Sequence, residues 1–248
     1  MTVRNKGLMG VALATAVLGG TAQAQQAGDL VLGAGWLYLA PQDSSQPLQV
    51  QPAGYSSAIT RANTGATVSN ASTLGLSAVY YFSSNWGVET VLGVPPKFKL
   101  DGSGNLAAVG RIGEARQWSP TLLLRYTFLD GDAKFRPFVG VGGTYVWYSG
   151  VRLQSGINSV LASSLGVSSA ATSTTASLSK SFAPVINVGA SYQFDKNWGL
   201  SLSVSYIPLK TEATLTTRVK ATGTTVATSR TKLTLDPIVT YLALTYRF

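Results

Sequence analysis

The stretch Phe182–Phe194, FAPVINVGASYQF, alternates from end to end. One face reads Phe182, Pro184, Ile186, Val188, Ala190, Tyr192 and Phe194. The other reads Ala183, Val185, Asn187, Gly189, Ser191 and Gln193. A period of two is the strand period, so this segment is a β-strand with a greasy face and a small or polar one. It ends in a Tyr-x-Phe triplet on the greasy face, and the question is what that face touches.

The same pattern recurs at Leu74–Phe82, Leu122–Phe128 and Ile238–Phe248, which end in Tyr80/Phe82, Tyr126/Phe128 and Tyr246/Phe248. The spacing of the triplets is uneven, which argues for hairpins with loops of variable length and against a solenoid of fixed period. Three of these strands run into a short turn, SSN, LDGDAK or DKN. New strands then start at Trp86, Phe135 and Trp198. With DLVLGAGWLYL near the N-terminus, eight strands result. The other connections, about Ala40–Asn70, Lys97–Gln117, Arg152–Lys180 and Ala221–Arg230, are long and rich in Ser, Thr, Gly and Ala. Short and long connections alternate.

Eight strands close into a barrel whose interior is only wide enough for side chains or one small ligand. A soluble barrel would have to pack all four Tyr/Phe pairs in one internal layer, which is too much volume. In an outer-membrane barrel the greasy face points at lipid and the lumen takes the small and polar residues. The opposite face fits a lumen: Glu89, Arg125, Asn187, Gln193, Ser201, Ser203, Ser205 and Arg247, with many glycines. The fold expected is therefore all-β, an eight-stranded antiparallel transmembrane β-barrel with short periplasmic turns and long extracellular loops. Tyr80, Phe82, Trp86, Tyr126, Phe128, Tyr192, Phe194, Trp198, Tyr246 and Phe248 would form a periplasmic aromatic girdle. On this reading Thr127 and Ser191, as lumen positions, should accept an Arg that Leu124 or Val188 would not.

The N-terminus supports export. Arg4 and Lys6 precede an apolar run from Gly7 to Leu18, and TAQA sets small residues before a cleavage site, which makes residues 1–24 a signal peptide and 25–248 the barrel. The destination is the outer membrane of a Gram-negative cell. The chain carries a formal +9, but its Lys and Arg are scattered singly and export removes it from nucleic acid. With no His and no Cys, the usual general base and soft metal ligands are missing, so neither an enzyme, a metal site nor a cofactor is expected. GVGG at Gly140–Gly143 lacks the helix a phosphate loop needs and reads as small residues on a curved strand.

Three clusters are candidates for more specific roles. Glu89, Arg125 and Arg247 share the lumen parity and form a candidate polar plug. Lys97, Lys99, Arg111 and Arg116 fall in the second long connection and are candidates for contact with lipopolysaccharide phosphates. Tyr246 and Phe248 resemble the C-terminal signal read by the barrel-insertion machinery. The run LASSLGVSSAATSTTASLS is either disordered or an extension of strands above the membrane. The barrel is expected to be a monomer in outer-membrane lipid.

Several blocks also resemble a known family. NWGVETVLGVPPKFKL (Asn85–Leu100), SPTLLLRYTFLDGDAKFRPFVGVGGTY (Ser119–Tyr145), DKNWGLSLSVSYIPL (Asp195–Leu209) and LDPIVTYLALTYRF (Leu235–Phe248) are similar to the outer membrane protein W (OmpW) family, with KFRPFVGVG and the DP…YRF ending the most specific. The resemblance implies a channel passing small hydrophobic molecules across the outer membrane. The alternative is a structural or interaction barrel whose loops bind a partner or phage. For a channel closed below by charge, Pro95 and Pro96 at the outer end of the third strand are a candidate lateral exit, because proline has no N–H to give the ladder.

Overall fold

The computed structural model describes residues 25–248; the expected signal peptide, residues 1–24, lies outside the described residues. The barrel staves are β1 (Leu30–Ala40), β2 (Ala71–Tyr81), β3 (Trp86–Gly93), β4 (Thr121–Thr127), β5 (Phe135–Leu153), β6 (Ser181–Gln193), β7 (Trp198–Tyr206) and β8 (Ile238–Arg247). Each pairs antiparallel with its neighbour. The ring closes where β1 meets β8, from Val31 opposite Arg247 to Ala40 opposite Ile238. The last N–H of the chain, on Phe248, donates to the Leu30 carbonyl at 2.9 Å.

The alternation sets the faces as expected. Leu76, Leu122, Val141, Phe182, Ile186, Val188 and Leu244 stand exposed on the outer wall, while Leu123, Arg125, Phe138, Val185 and Asn187 are buried within. At the turn end the outward rings touch in short chains. Trp86 meets Tyr126 (4.9 Å between centroids) and Tyr126 meets Phe128 (4.9 Å). Trp198 meets Tyr246 (5.0 Å), Tyr246 meets Phe248 (4.8 Å), and Tyr192 meets Phe194 (5.7 Å). Tyr80 and Phe82 are half exposed on the same face.

The lumen departs from the expectation of small and polar residues. It holds Tyr81, Phe98, Phe138 and Tyr241, all nearly inaccessible. Glycines on nearby staves make the room. A Cβ at Gly75 would run into Leu37 and Tyr241, and one at Gly189 would meet the Phe138 ring. Rings and glycines therefore interdigitate in the narrow interior.

The long connections are not loops over most of their length. Thr64–Val68, Lys97–Gly104 and Arg111–Trp118 pair with one another and, through Arg111–Trp118, with the upper half of β5. Thr172–Leu178, Lys210–Val219, Thr225–Thr234, Leu48–Pro52 and Ile59–Arg61 form a second sheet above the membrane. The Ser/Ala/Thr run thus contributes a strand. Its start belongs to helix α1 (Ser155–Ser164), unforeseen in the sequence, whose Ile157 and Leu161 recur at helical spacing and are buried.

One expectation about tolerance changes. Thr127 faces the lumen but is fully buried beside Tyr81, 3.1 Å between their hydroxyl oxygens, so an Arg has no room there. Ser201 borders free lumen space and is the better control. Val188→Arg and Leu124→Arg should each cost about 2–4 kcal/mol of stability in urea unfolding from lipid vesicles. Ser201→Asn should lose far less, and equal losses would mean the faces are reversed. Phe248→Asp, which puts charge among the girdle rings, should abolish the heat-modifiable barrel in outer-membrane fractions, whereas Arg247→Lys should preserve it.

Candidate functional site

The lumen is built in tiers. At the periplasmic end Arg136, on β5, is almost wholly buried. Its guanidinium donates to the carbonyls of Phe128 (3.1 Å), Ser84 (3.0 Å) and Leu129 (2.9 Å) and to the Gln25 side chain. Arg136 thereby ties two periplasmic turns and Gln25 into one seal. Sequence reading missed it, although it shares the inward parity of Phe138 and Gly140, and that parity could have found it.

Above the seal, Arg125 on β4 and Glu89 on β3 form an ion pair at 3.2 Å, with side chains only 5% and 8% exposed. The Arg125 guanidinium carbon lies 3.4 Å from the centre of the Phe138 ring, and its Nε donates to Thr127 at 3.3 Å. A buried pair persists only when its remaining hydrogen-bonding capacity is met, and the ring and hydroxyl supply that. The expected trio is therefore divided. Arg247 sits lower, at the rim, donating to the Lys196 carbonyl at 3.1 and 2.7 Å and lying 4.0 Å from Asp29.

A chamber opens above the pair. Glu89, Asn187, Ser203 and Ser205 line its lower part, and Leu37, Leu39, Val91, Leu123, Val185, Ile207 and Leu209 its walls. A small pocket beside Phe98, Gln117 and Tyr148 shares Gln117 with this chamber and Leu100, Ala115, Leu178 and Leu233 with a second chamber. That one is lined by Leu48, Leu100, Leu106, Ile112, Leu153, Ile157, Leu178, Leu215 and Leu233. Its roof is a cluster of Leu48, Val50, Leu106, Ile157, Leu161, Leu215 and Ala227, drawn from the second upper sheet, α1 and the turn at Leu106. The upper chamber is mostly apolar, whereas the lower one mixes apolar walls with Glu89, Gln117, Asn187 and Ser203. Among the described residues, no group of three His, Asp or Glu side chains comes together to hold a metal.

Pro95 and Pro96 end β3 at the level of the lower chamber. Val91 still pairs with Thr121 of β4, and the Pro96 carbonyl accepts from the Gln117 N–H at 3.1 Å. Between those two points lie Pro95 on one edge and Ser119-Pro120 on the other, where prolines leave no N–H to give. Gly93, Pro96, Gln117, Ser119 and Thr121, from both edges, line the chamber. On the outside Leu92, Val94 and Trp118 are exposed.

The basic residues of the second connection are on strands rather than a loop. Lys97 pairs with Glu114 (2.7 Å) and Arg111 with Asp101 (2.7 Å), so two of the four expected phosphate contacts have a carboxylate partner in the chain. The Lys97 hydrogen bond holds the Glu114 carboxyl below the usual carboxylate range. Lys99 and Arg116 are exposed on the outer face.

Comparison with known proteins places this architecture. The model of the OmpW family matches residues 26–248. Outer membrane protein W of Vibrio cholerae is 27% identical over 247 residues, 97% of this chain and 98% of that protein. The dibenzothiophene metabolism operon protein DoxH of Pseudomonas sp. (strain C18) is 25% identical over 169 residues, 68% of each chain. The crystal structure of the outer membrane protein OprG from Pseudomonas aeruginosa superposes with a TM-score of 0.75 at 26% identity, covering 92% of this chain and 99% of that one. A closed eight-stranded barrel with a matching family model over nearly its whole described length leads to one conclusion: this chain is an outer-membrane protein of the OmpW family.

Proposed function

We propose that the barrel carries small hydrophobic molecules from the outside of the cell into the outer membrane. The observation that carries this reading is the pair of stacked apolar chambers, closed below by a buried ion pair and open in its ladder at one side. A relative named for a dibenzothiophene metabolism operon supports the chemical class, since dibenzothiophene is an apolar heterocycle.

Cargo enters through the roof, where α1 contributes a single turn-spaced apolar stripe to the lid. It descends past Phe98 and Tyr148 to the lower chamber. Going further would put an apolar surface against Glu89 and Arg125, which cannot give up their partners without leaving buried charge unpaired. Lateral escape between Pro95 and Ser119-Pro120 meets no such cost, because lipid lies outside the gap. The girdle anchors the barrel at the periplasmic interface, and the Tyr246–Phe248 end serves as the handle for the insertion machinery.

The floor is tested by a double-mutant cycle. Glu89→Ala or Arg125→Ala alone should cost about 3–5 kcal/mol in urea unfolding, because each strands a buried charge. Removing both should cost markedly less than the sum of the two. Additive losses would mean that the pair is not coupled. The route is tested by uptake of a fluorescent hydrophobic probe in intact cells at matched expression. Pro95→Val with Pro96→Val should restore ladder donors, slow uptake and leave unfolding unchanged. Uptake equal to the parent's would reject the lateral exit.

A further inference from the structure

The lipid-facing wall has a measurable upper limit on one side. From Phe128 in the periplasmic girdle, the chain rises through β4 to Trp118, about 25 Å at roughly 3.3 Å per residue and the usual barrel tilt. That is the height of the apolar band of an outer-membrane barrel. Trp118 stacks on Trp147 of β5, 5.7 Å between centroids and 1° between planes, and its indole N–H donates to Ser149. The stack therefore marks the outer-leaflet interface.

The next outward positions above it are cationic. Arg116 stands two residues beyond Trp118, opposite Lys97 on one side and Ser149 on the other. Lys99 and Arg152 flank Glu114 from its two neighbouring strands. Glu114 and Lys97 neutralise each other at 2.7 Å. Lys99, Arg116 and Arg152 are exposed and have no hydrogen-bonded or ion-paired side-chain partner among the described residues. Three cations on adjacent strands, directly over an aromatic shelf, form a surface for a ligand with phosphates above and hydrocarbon below.

We propose that this face, on the strands Lys97–Gly104 and Arg111–Trp118 and the upper part of β5, binds the phosphorylated glycolipid of the outer leaflet. Lys99, Arg116 and Arg152 hold its phosphates, and its acyl chains lie against Trp118 and Trp147. Arg serves here as a bidentate donor to phosphate and Lys as a point charge. The level in the membrane selects the glycolipid, whose phosphates sit just above the acyl chains of the outer leaflet.

The test uses the full-length folded barrel in detergent, titrated with fluorescently labelled bisphosphorylated lipid A. The triple variant Lys99→Gln/Arg116→Gln/Arg152→Gln should bind at least about tenfold more weakly, in line with the attraction of single Lys and Arg residues to an anionic surface. Dephosphorylated lipid A should bind the parent equally weakly. The triple Lys210→Gln/Arg218→Gln/Lys232→Gln, which removes the same charge from the other upper sheet, should bind like the parent. Phosphatidylglycerol vesicles should fail to compete. Equal losses in both triples, no loss in the first, or full competition by phosphatidylglycerol would each overturn the site. A heat-modifiability shift in every variant establishes that the barrels compared are folded.

Discussion

Everything in this molecule depends on satisfying the backbone inside hydrocarbon. An unpaired N–H or C=O in lipid costs several kcal/mol, so a membrane sheet must close on itself. Here the closure is the ladder between β1 and β8, running from Val31 opposite Arg247 to Ala40 opposite Ile238. Closure with eight staves fixes a narrow interior, and the narrow interior dictates the rest. Rings such as Tyr241 and Phe138 fit only where Gly75, two staves from Tyr241, and Gly189, on the stave next to Phe138, yield the space.

Inside that tube, polarity is sorted by height. Arg136 and the Glu89–Arg125 pair occupy the periplasmic half, where Arg136 satisfies turn carbonyls and the ion pair satisfies itself. Leucine, valine and isoleucine take over above them, in walls that continue beyond the membrane on strands. A buried ion pair contributes little net stability compared with a hydrophobic filling, yet losing one partner is costly. In the route proposed above, the pair serves as the floor.

The interruption beside Pro95 obeys the same rule as the closure. A gap in the ladder is tolerable at membrane depth only where few donors are left unpaired, and Pro95, Pro96 and Pro120 remove donors from both edges. In the lateral route proposed above, these prolines would let the wall part with few N–H groups exposed to lipid. The lower chamber touches this seam, while the upper chamber lies beneath a roof that includes the short helix α1.

Local alternation was enough to read the staves, their outward face, the outward exposure of the rings from Tyr80 to Phe248 and the inward parity of Glu89 and Arg125. A strand's side chains can point only two ways, and lipid punishes the wrong one. Three matters were decided by the tertiary structure. Parity cannot say which inward residues share a height, because height comes from the stagger of neighbouring staves; that is why Arg247 separated from Glu89 and Arg125, and why Arg136 took the seal. Parity also cannot measure space, so Thr127 looked permissive although Tyr81 fills the place beside it. The long Ser/Thr-rich connections carry weak local signals, and their strands and the helix at Ile157 and Leu161 exist because they close over a common apolar chamber that no single segment contains.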